Sequence, residues 1–235
     1  VVEINTQGGT AVKAALPFPV LFEDKHIIVI EKPVGIVTSS TDGSTSVQGI
    51  VTKILKEQSR GKMRAFVVHR LDKEVSGVLL LAKSHPAMNR IKEAWKEAEK
   101  RYYALVEGKP EKSEGTIESW LVEDNLQKVH STHEFSKAKF SITHYRTIKQ
   151  VNKYTLLDVN LETGRKNQIR VHLSDIGCPI VGDRKYGASA DFVRRIRLHA
   201  YYLSFSHPVT GERITIESPM PEGFLSIRDR DEKYK

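Results

Sequence analysis

The sequence predicts an α+β fold built on one mixed, mainly antiparallel central sheet flanked by helices. Three observations point there. Strand-type apolar runs outnumber helical stretches, most neighbouring strands are joined by short polar turns, and no regular strand–helix alternation marks a parallel βαβ sheet. At 235 residues and 39% hydrophobic content, the chain can bury one sizeable core without disulfides or structural metals.

Residues 1–15 contain Gly8-Gly9 and little periodicity, so they read as an N-terminal arm or linker ahead of one domain over 16–235. The folded unit is expected to start near Val20. A short strand over 27–30 leads to Lys32-Pro33 and Gly35, then to a polar loop over 38–46 in which Gly43 permits a sharp turn. Ser46 is placed to cap a helix whose Val47, Ile50, Val51, Ile54 and Leu55 share one face.

Two apolar runs, 65–68 and 78–82, read as buried strands that bracket the polar segment 69–77. Pro86 suits the first turn of a second helix in which Met88, Ile91, Trp95 and Ala98 recur at helical spacing. Strands are expected over 102–106, 116–122, 135–148 and 154–161. A third helix is expected over 166–176, capped by Gly177 and stopped by Pro179. Runs 198–205 and 213–217, separated by a segment with Pro208 and Gly211, read as a hairpin.

The 37 Lys and Arg outnumber the 29 Asp and Glu, which favours a polyanionic partner such as nucleic acid. A single cysteine, Cys178, rules out an internal disulfide framework or paired-cysteine zinc site, and fits a reducing, cytoplasmic setting. No stretch approaches the roughly 18–20 apolar residues of a membrane span, and no signal peptide follows Val1. The chain lacks G-x-G-x-x-G and a phosphate loop, so no nucleotide cofactor is expected. His133-Glu134 has no second histidine four positions on, and the nine histidines show no ligand spacing, so no metal is expected.

What remains is the loop at Asp72. A carboxylate between two buried strands, flanked by His69 and Arg70, can be fixed firmly while facing a cleft, which suits a nucleophile or general base. A surface Asp capping the turn before Ser76-Gly77 is the plainer reading of composition alone.

Residues His69-Arg70-Leu71-Asp72-Lys73-Glu74-Val75-Ser76-Gly77-Val78-Leu79-Leu80-Leu81-Ala82-Lys83 closely resemble the catalytic signature of the RluA-type pseudouridine synthases. Lys100-Arg101-Tyr102-Tyr103-Ala104-Leu105-Val106 resembles that family's K-x-Y-x-A-x-V strand, and Thr163-Gly164-Arg165-Lys166-Asn167-Gln168-Ile169-Arg170-Val171-His172 its G-R-x-H-Q-I-R-x-H block. Glu31-Lys32-Pro33-Val34-Gly35 and Gly182-Asp183-Arg184-Lys185-Tyr186-Gly187 are similar to further family landmarks. Val75 replaces the family's usual Thr and Asn167 its usual His.

The resemblance implies the pseudouridine synthase fold with a central active-site cleft, 16–235 as its catalytic domain, and isomerisation of uridine in RNA without a cofactor. It implies catalytic Asp72 and Tyr102, with Arg165 as the expected cation that keeps Asp72 ionised. Arg70, Ile169 and Arg170 are the expected substrate-binding residues, Arg70 filling the vacancy left by a flipped nucleotide and Ile169 flooring the uracil. His69 and His172 are expected to be structural. Lys53, Lys56, Arg60, Lys62, Arg64, Arg184, Lys185, Arg194, Arg195 and Arg197 are candidates for tracking the RNA backbone. Ribosomal RNA is the expected substrate ahead of transfer RNA, and the protein is expected to be a monomer. The alternatives are a catalytically silent RNA-binding or ribosome-assembly protein, and a hydrolase, for which only Glu74 lies near as a second carboxylate.

Overall fold

The computed structural model describes residues 16–41, 45–189 and 195–227. The arm over 1–15, Gly43 and Arg194 lie outside these. Eleven strands and three helices are described: β1 (Val20–Glu23), β2 (Ile27–Lys32), α1 (Val47–Gln58), β3 (Phe66–Val67), β4 (Ser76–Ala82), α2 (His85–Glu93), β5 (Glu99–Glu107), β6 (Glu114–Glu123), β7 (Val129–Thr132), β8 (Lys139–Val151), β9 (Tyr154–Leu161), α3 (Gln168–Asp175), β10 (Leu198–Ser206) and β11 (Arg213–Glu217). They form one sheet in the order β1-β2-β4-β10-β5-β9-β8-β6-β7, with β11 also on β10 and β3 on β4. β4 and β10 run parallel, and every other described pair is antiparallel. The fold is therefore the mixed, mainly antiparallel α+β sheet expected.

Strand alternation sorts the core onto two faces. Ile28, Ile30, Leu79, Leu81, Tyr102 and Ala104 pack on one face with Val47, Val51 and Leu55 of α1 and Ile169 and Leu173 of α3. Ile27, Val29, Val78 and Leu80 pack on the other with Ala87 and Ile91 of α2. The α1 cap is as expected: Ser46 Oγ accepts from the Gly49 N–H at 3.1 Å, a bond worth about 1 kcal/mol.

Several boundaries differ. α2 ends at Glu93, and Trp95 falls in a separate 3-10 turn instead of on the helix. The strand expected from 135 begins at Lys139, while β1 and β7 were not foreseen. α3 starts two residues late because Asn167 sits at φ +55°, a left-handed conformation that Asn tolerates and that no helix interior accepts. Its far end closes as predicted. Gly177 has φ +73°, its N–H donates to the Ser174 carbonyl and the Cys178 N–H to the Leu173 carbonyl, the pair of bonds of a Schellman turn.

Candidate active site

Asp72 lies in the connection between β3 and β4, and its neighbours are pinned from several sides. Thr38 Oγ1 donates to the Leu71 carbonyl at 2.8 Å and accepts the Leu71 N–H at 3.1 Å. The Gly35 N–H donates to the Lys73 carbonyl at 2.7 Å, and the Val75 N–H closes a turn onto the Asp72 carbonyl at 3.1 Å. Lys32, fully buried, donates to the carbonyls of Pro33 (2.9 Å), Ile36 (2.8 Å) and Lys73 (3.4 Å). Burial draws its ammonium down to about 8, against the opposing pull of Asp72 and Glu74. Gly77 then lets β4 approach β10: at φ +119°, a Cβ there would stand 2.1 Å from the Ala200 carbonyl oxygen.

The late start of α3 turns Arg170 inward. Its Nε and Nη2 donate to the two carboxylate oxygens of Asp183 at 2.6 and 2.8 Å, a two-point ion pair. Nη1 reaches Asp72 Oδ2 at 3.3 Å and Asn167 Oδ1 at 3.2 Å, and stands 3.6 Å from Glu74 Oε2. The guanidinium lies 5.0 Å from the Tyr186 ring centroid, and Tyr186 OH accepts from Asn167 Nδ2 at 3.0 Å. Asn167 thus binds on both sides in the conformation that delays the helix. Asp183 was not anticipated as a site residue, although it lies in a block that the sequence marks out.

Burial is the largest influence on Asp72 and raises its carboxyl above the usual range. The charge and hydrogen bond of Arg170 oppose that rise, while Glu74 and Asp183 add to it. Arg165 does not take this part: it is exposed, and among the described residues the cation on Asp72 is Arg170. The expected Arg165 pairing is corrected accordingly. Arg165 instead lines the pocket, and its N–H donates to Gln168 Oε1 at 3.0 Å.

An inner pocket of about 80 Å³ gathers Asp72, Tyr102, Ile169 and Arg170 with Val75 and Leu198 as apolar walls. It opens into an outer groove of about 790 Å³ that includes Arg70, Trp95, Lys100, Lys166 and Lys185. All six expected site residues therefore meet at one cleft, with Arg70 exposed at its mouth. Tyr102 faces the pocket while Tyr103, on the opposite face, stacks on Tyr201 at 3.9 Å. Burial and the Asp72 charge keep the Tyr102 hydroxyl protonated far above neutral pH.

The two histidines given no chemical role are engaged structurally. His69 Nε2 accepts the Leu80 N–H at 3.0 Å and its ring stacks on Trp95 at 4.8 Å. His172 bonds Thr143 Oγ1 at 2.8 Å and Ser119 Oγ at 3.0 Å, and burial lowers it to about 4. Of the basic residues proposed to follow a backbone, Lys185 lines the groove, whereas Lys53, Lys56, Arg60, Lys62 and Arg64 are exposed away from it. Arg195 and Arg197 are half-buried, donating to Ser76 Oγ at 3.3 Å and the Ser226 carbonyl at 3.0 Å. Among the described residues, no group of three or more His, Cys, Asp or Glu could hold a metal ion, and no helix is long and apolar enough to cross a membrane.

Residues 26–175 match the family model described as RNA pseudouridylate synthase. The chain is 35% identical to an RNA pseudouridine synthase of Aquifex aeolicus, over 90% of this chain and 72% of that protein. It is 37% identical to ribosomal large subunit pseudouridine synthase D of Nitrosomonas europaea, over 91% of this chain and 65% of that protein, so it spans just under two thirds of that relative. Human RNA Pseudouridylate Synthase Domain Containing 4 superposes with a TM-score of 0.73 at 25% identity, covering 88% of this chain and 90% of that one. Human RNA Pseudouridylate Synthase Domain Containing 1 shares the fold at a TM-score of 0.71 and 22% identity, covering 97% and 96%. The chain belongs to the RNA pseudouridylate synthase family, a family of isomerases.

Proposed function

We propose that this chain isomerises specific uridines to pseudouridine in RNA, with Asp72 as the reacting group. The observation that carries the proposal is the carboxylate of Asp72 held beside Arg170 at the mouth of a pocket walled by Tyr102 and Ile169. Breaking the N1–C1′ bond builds positive charge on the ribose, and a fixed carboxylate lowers that barrier. Asp72 acts at C1′, either adding to it or promoting a glycal. The freed uracil turns within the apolar walls, C5 joins C1′, and the C5 proton leaves, with the Tyr102 hydroxyl placed to relay it. Arg170 keeps Asp72 ionised against its burial, the part expected of Arg165.

The target must leave its stack to enter so small a pocket, and exposed Arg70 is the side chain at the mouth that fills the gap. Ribosomal RNA is the substrate we favour over transfer RNA, because the relatives with a named substrate class include ribosomal large subunit enzymes. The protein works as a cytoplasmic monomer over its catalytic domain, without a cofactor. Total RNA from cells lacking the protein is incubated with wild type or Asp72→Asn, and pseudouridine is mapped. New sites with wild type and none with Asp72→Asn support the proposal. Unchanged RNA bound tightly by wild type points to a silent binder, and free uracil points to a hydrolase.

A further inference from the structure

Three lysines are buried among the described residues, and two of them are matched. Lys32 donates to three carbonyls. Lys83 binds Glu23 at 2.6 Å and the Asp24 carbonyl at 2.5 Å. Lys100 differs: it is 8% exposed, yet among the described residues no side-chain hydrogen bond or ion pair engages its ammonium. Its ammonium lies 5.9 Å from the Trp95 ring centroid, beside the half-buried His69 imidazole, which desolvation and Lys100 itself hold at about 3 and therefore neutral. Desolvation acts on Lys100 with no carboxylate to offset it. The ammonium still reaches the groove, where no carboxylate of the described residues pairs with it, so an anion entering the groove meets an uncompensated charge.

Its place in the cleft narrows what that partner is. Lys100 and Tyr102 are two residues apart on β5 and both face the cleft. Lys100 lines the outer groove but not the inner pocket, where Val75, Ile169 and Leu198 surround the space for the base. It therefore meets the strand that carries the target nucleotide. We infer that Lys100 is the seat for one backbone phosphate of the bound RNA, next to the extruded uridine and deeper than the exposed Arg70. The inference rests on the RNA reading of the cleft and adds a specific contact to it. A single phosphate entering there meets an ammonium with no competing carboxylate, so this contact fixes register as well as adding affinity.

The test pairs Lys100→Met with RNA substrates in which single linkages flanking the mapped uridine are replaced, one at a time, by uncharged methylphosphonate. Binding is measured by titration, and product by pseudouridine mapping. At one linkage, methylphosphonate weakens binding to wild type on the order of tenfold and leaves Lys100→Met unaffected, while the slope of log Kd on log salt falls by about 0.7 in the variant. Lys100→Arg, which keeps the charge, retains sensitivity at that linkage. Thermal unfolding of Lys100→Met at or above the wild-type midpoint shows that the loss is not one of folding. Losses that add at every linkage, or a salt slope equal to wild type, overturn the inference even when pseudouridine is still made. Absence of pseudouridine with intact, Lys100-dependent binding overturns the catalytic proposal alone.

Discussion

Arg170 binds Asp183 through two hydrogen bonds of 2.6 and 2.8 Å and extends its remaining nitrogen 3.3 Å to Asp72. One guanidinium thus satisfies a carboxylate that is 1% exposed and reaches another that is 28% exposed. The inner pair fixes the fork, so the outer oxygen is met by a cation already held in place.

Removing that cation is expected to cost more than catalysis. Arg170→Ala leaves Asp183 buried without its partner, and unfolding free energy should fall by about 3–5 kcal/mol. Arg165→Ala, at an exposed position, should shift it by less than about 0.5 kcal/mol. Urea unfolding of the two variants side by side checks both values, and equal losses would show that Arg170 does not hold the site.

Asp72 makes a prediction whose sign follows from its raised carboxyl. In the unfolded chain it titrates near 3.8, and in the fold it titrates higher because burial dominates. Between those two values the fold holds more protons, so stability falls as pH rises through that window, and the loss persists at neutral pH. Asp72→Asn escapes this loss, and its melting temperature should exceed that of wild type at pH 7. The gap should close as pH falls towards 3.8, and a variant less stable than wild type at pH 7 would refute the assignment.

The buried histidines act in the opposite sense. His172 and His199 are fully buried and each is lowered to about 4, His199 lying between Ser76 Oγ at 2.8 Å and Ser218 Oγ at 3.1 Å. Both lose stability as pH falls below the unfolded value of 6.5, with the full loss reached near 4, at most about 3 kcal/mol each. Denaturant titrations at pH 7, 6 and 5 should show this decline, and it should be shallower in His199→Asn. A wild-type stability that is flat from pH 7 to 5 would contradict it.

Gly77 sits where β4 and β10 touch. Gly77→Ala places a methyl group against the Ala200 carbonyl at a backbone angle that side chains rarely adopt, and should destabilise by more than about 3 kcal/mol. Circular dichroism melting checks this, and a fall of less than 1 °C would mean that the two strands are not packed so closely.

Much of this was legible from local pattern. The unbroken apolar runs of β2, β4 and β9, the partial alternation of β5 and the one-sided face of α1 are patterns that local sequence carries. β7 is four residues with one buried side chain, and β1 has none, so neither left a hydrophobic signature. The motif resemblance drew Asp72, Tyr102 and Ile169 to one cleft. The identity of the partner cation is not legible, because Arg165 and Arg170 carry the same fixed charge within one motif and only the fold decides which of them reaches Asp72. Asn167 takes a left-handed conformation that shifts the turn, leaving Arg165 outside and bringing Arg170 onto Asp72. Asp183 and Lys32 escaped for a different reason. Their contacts are set by tertiary packing, and no spacing in the sequence records them.

The central claim is that the Asp72 carboxylate itself performs the step at the ribose. Single-turnover pseudouridine formation on the mapped RNA, with enzyme in excess, tests it by comparing wild type, Asp72→Glu and Asp72→Asn at matched RNA saturation. Asp72→Asn should yield no product above background while binding RNA within a few-fold of wild type. A rate for Asp72→Asn within tenfold of wild type would contradict the account.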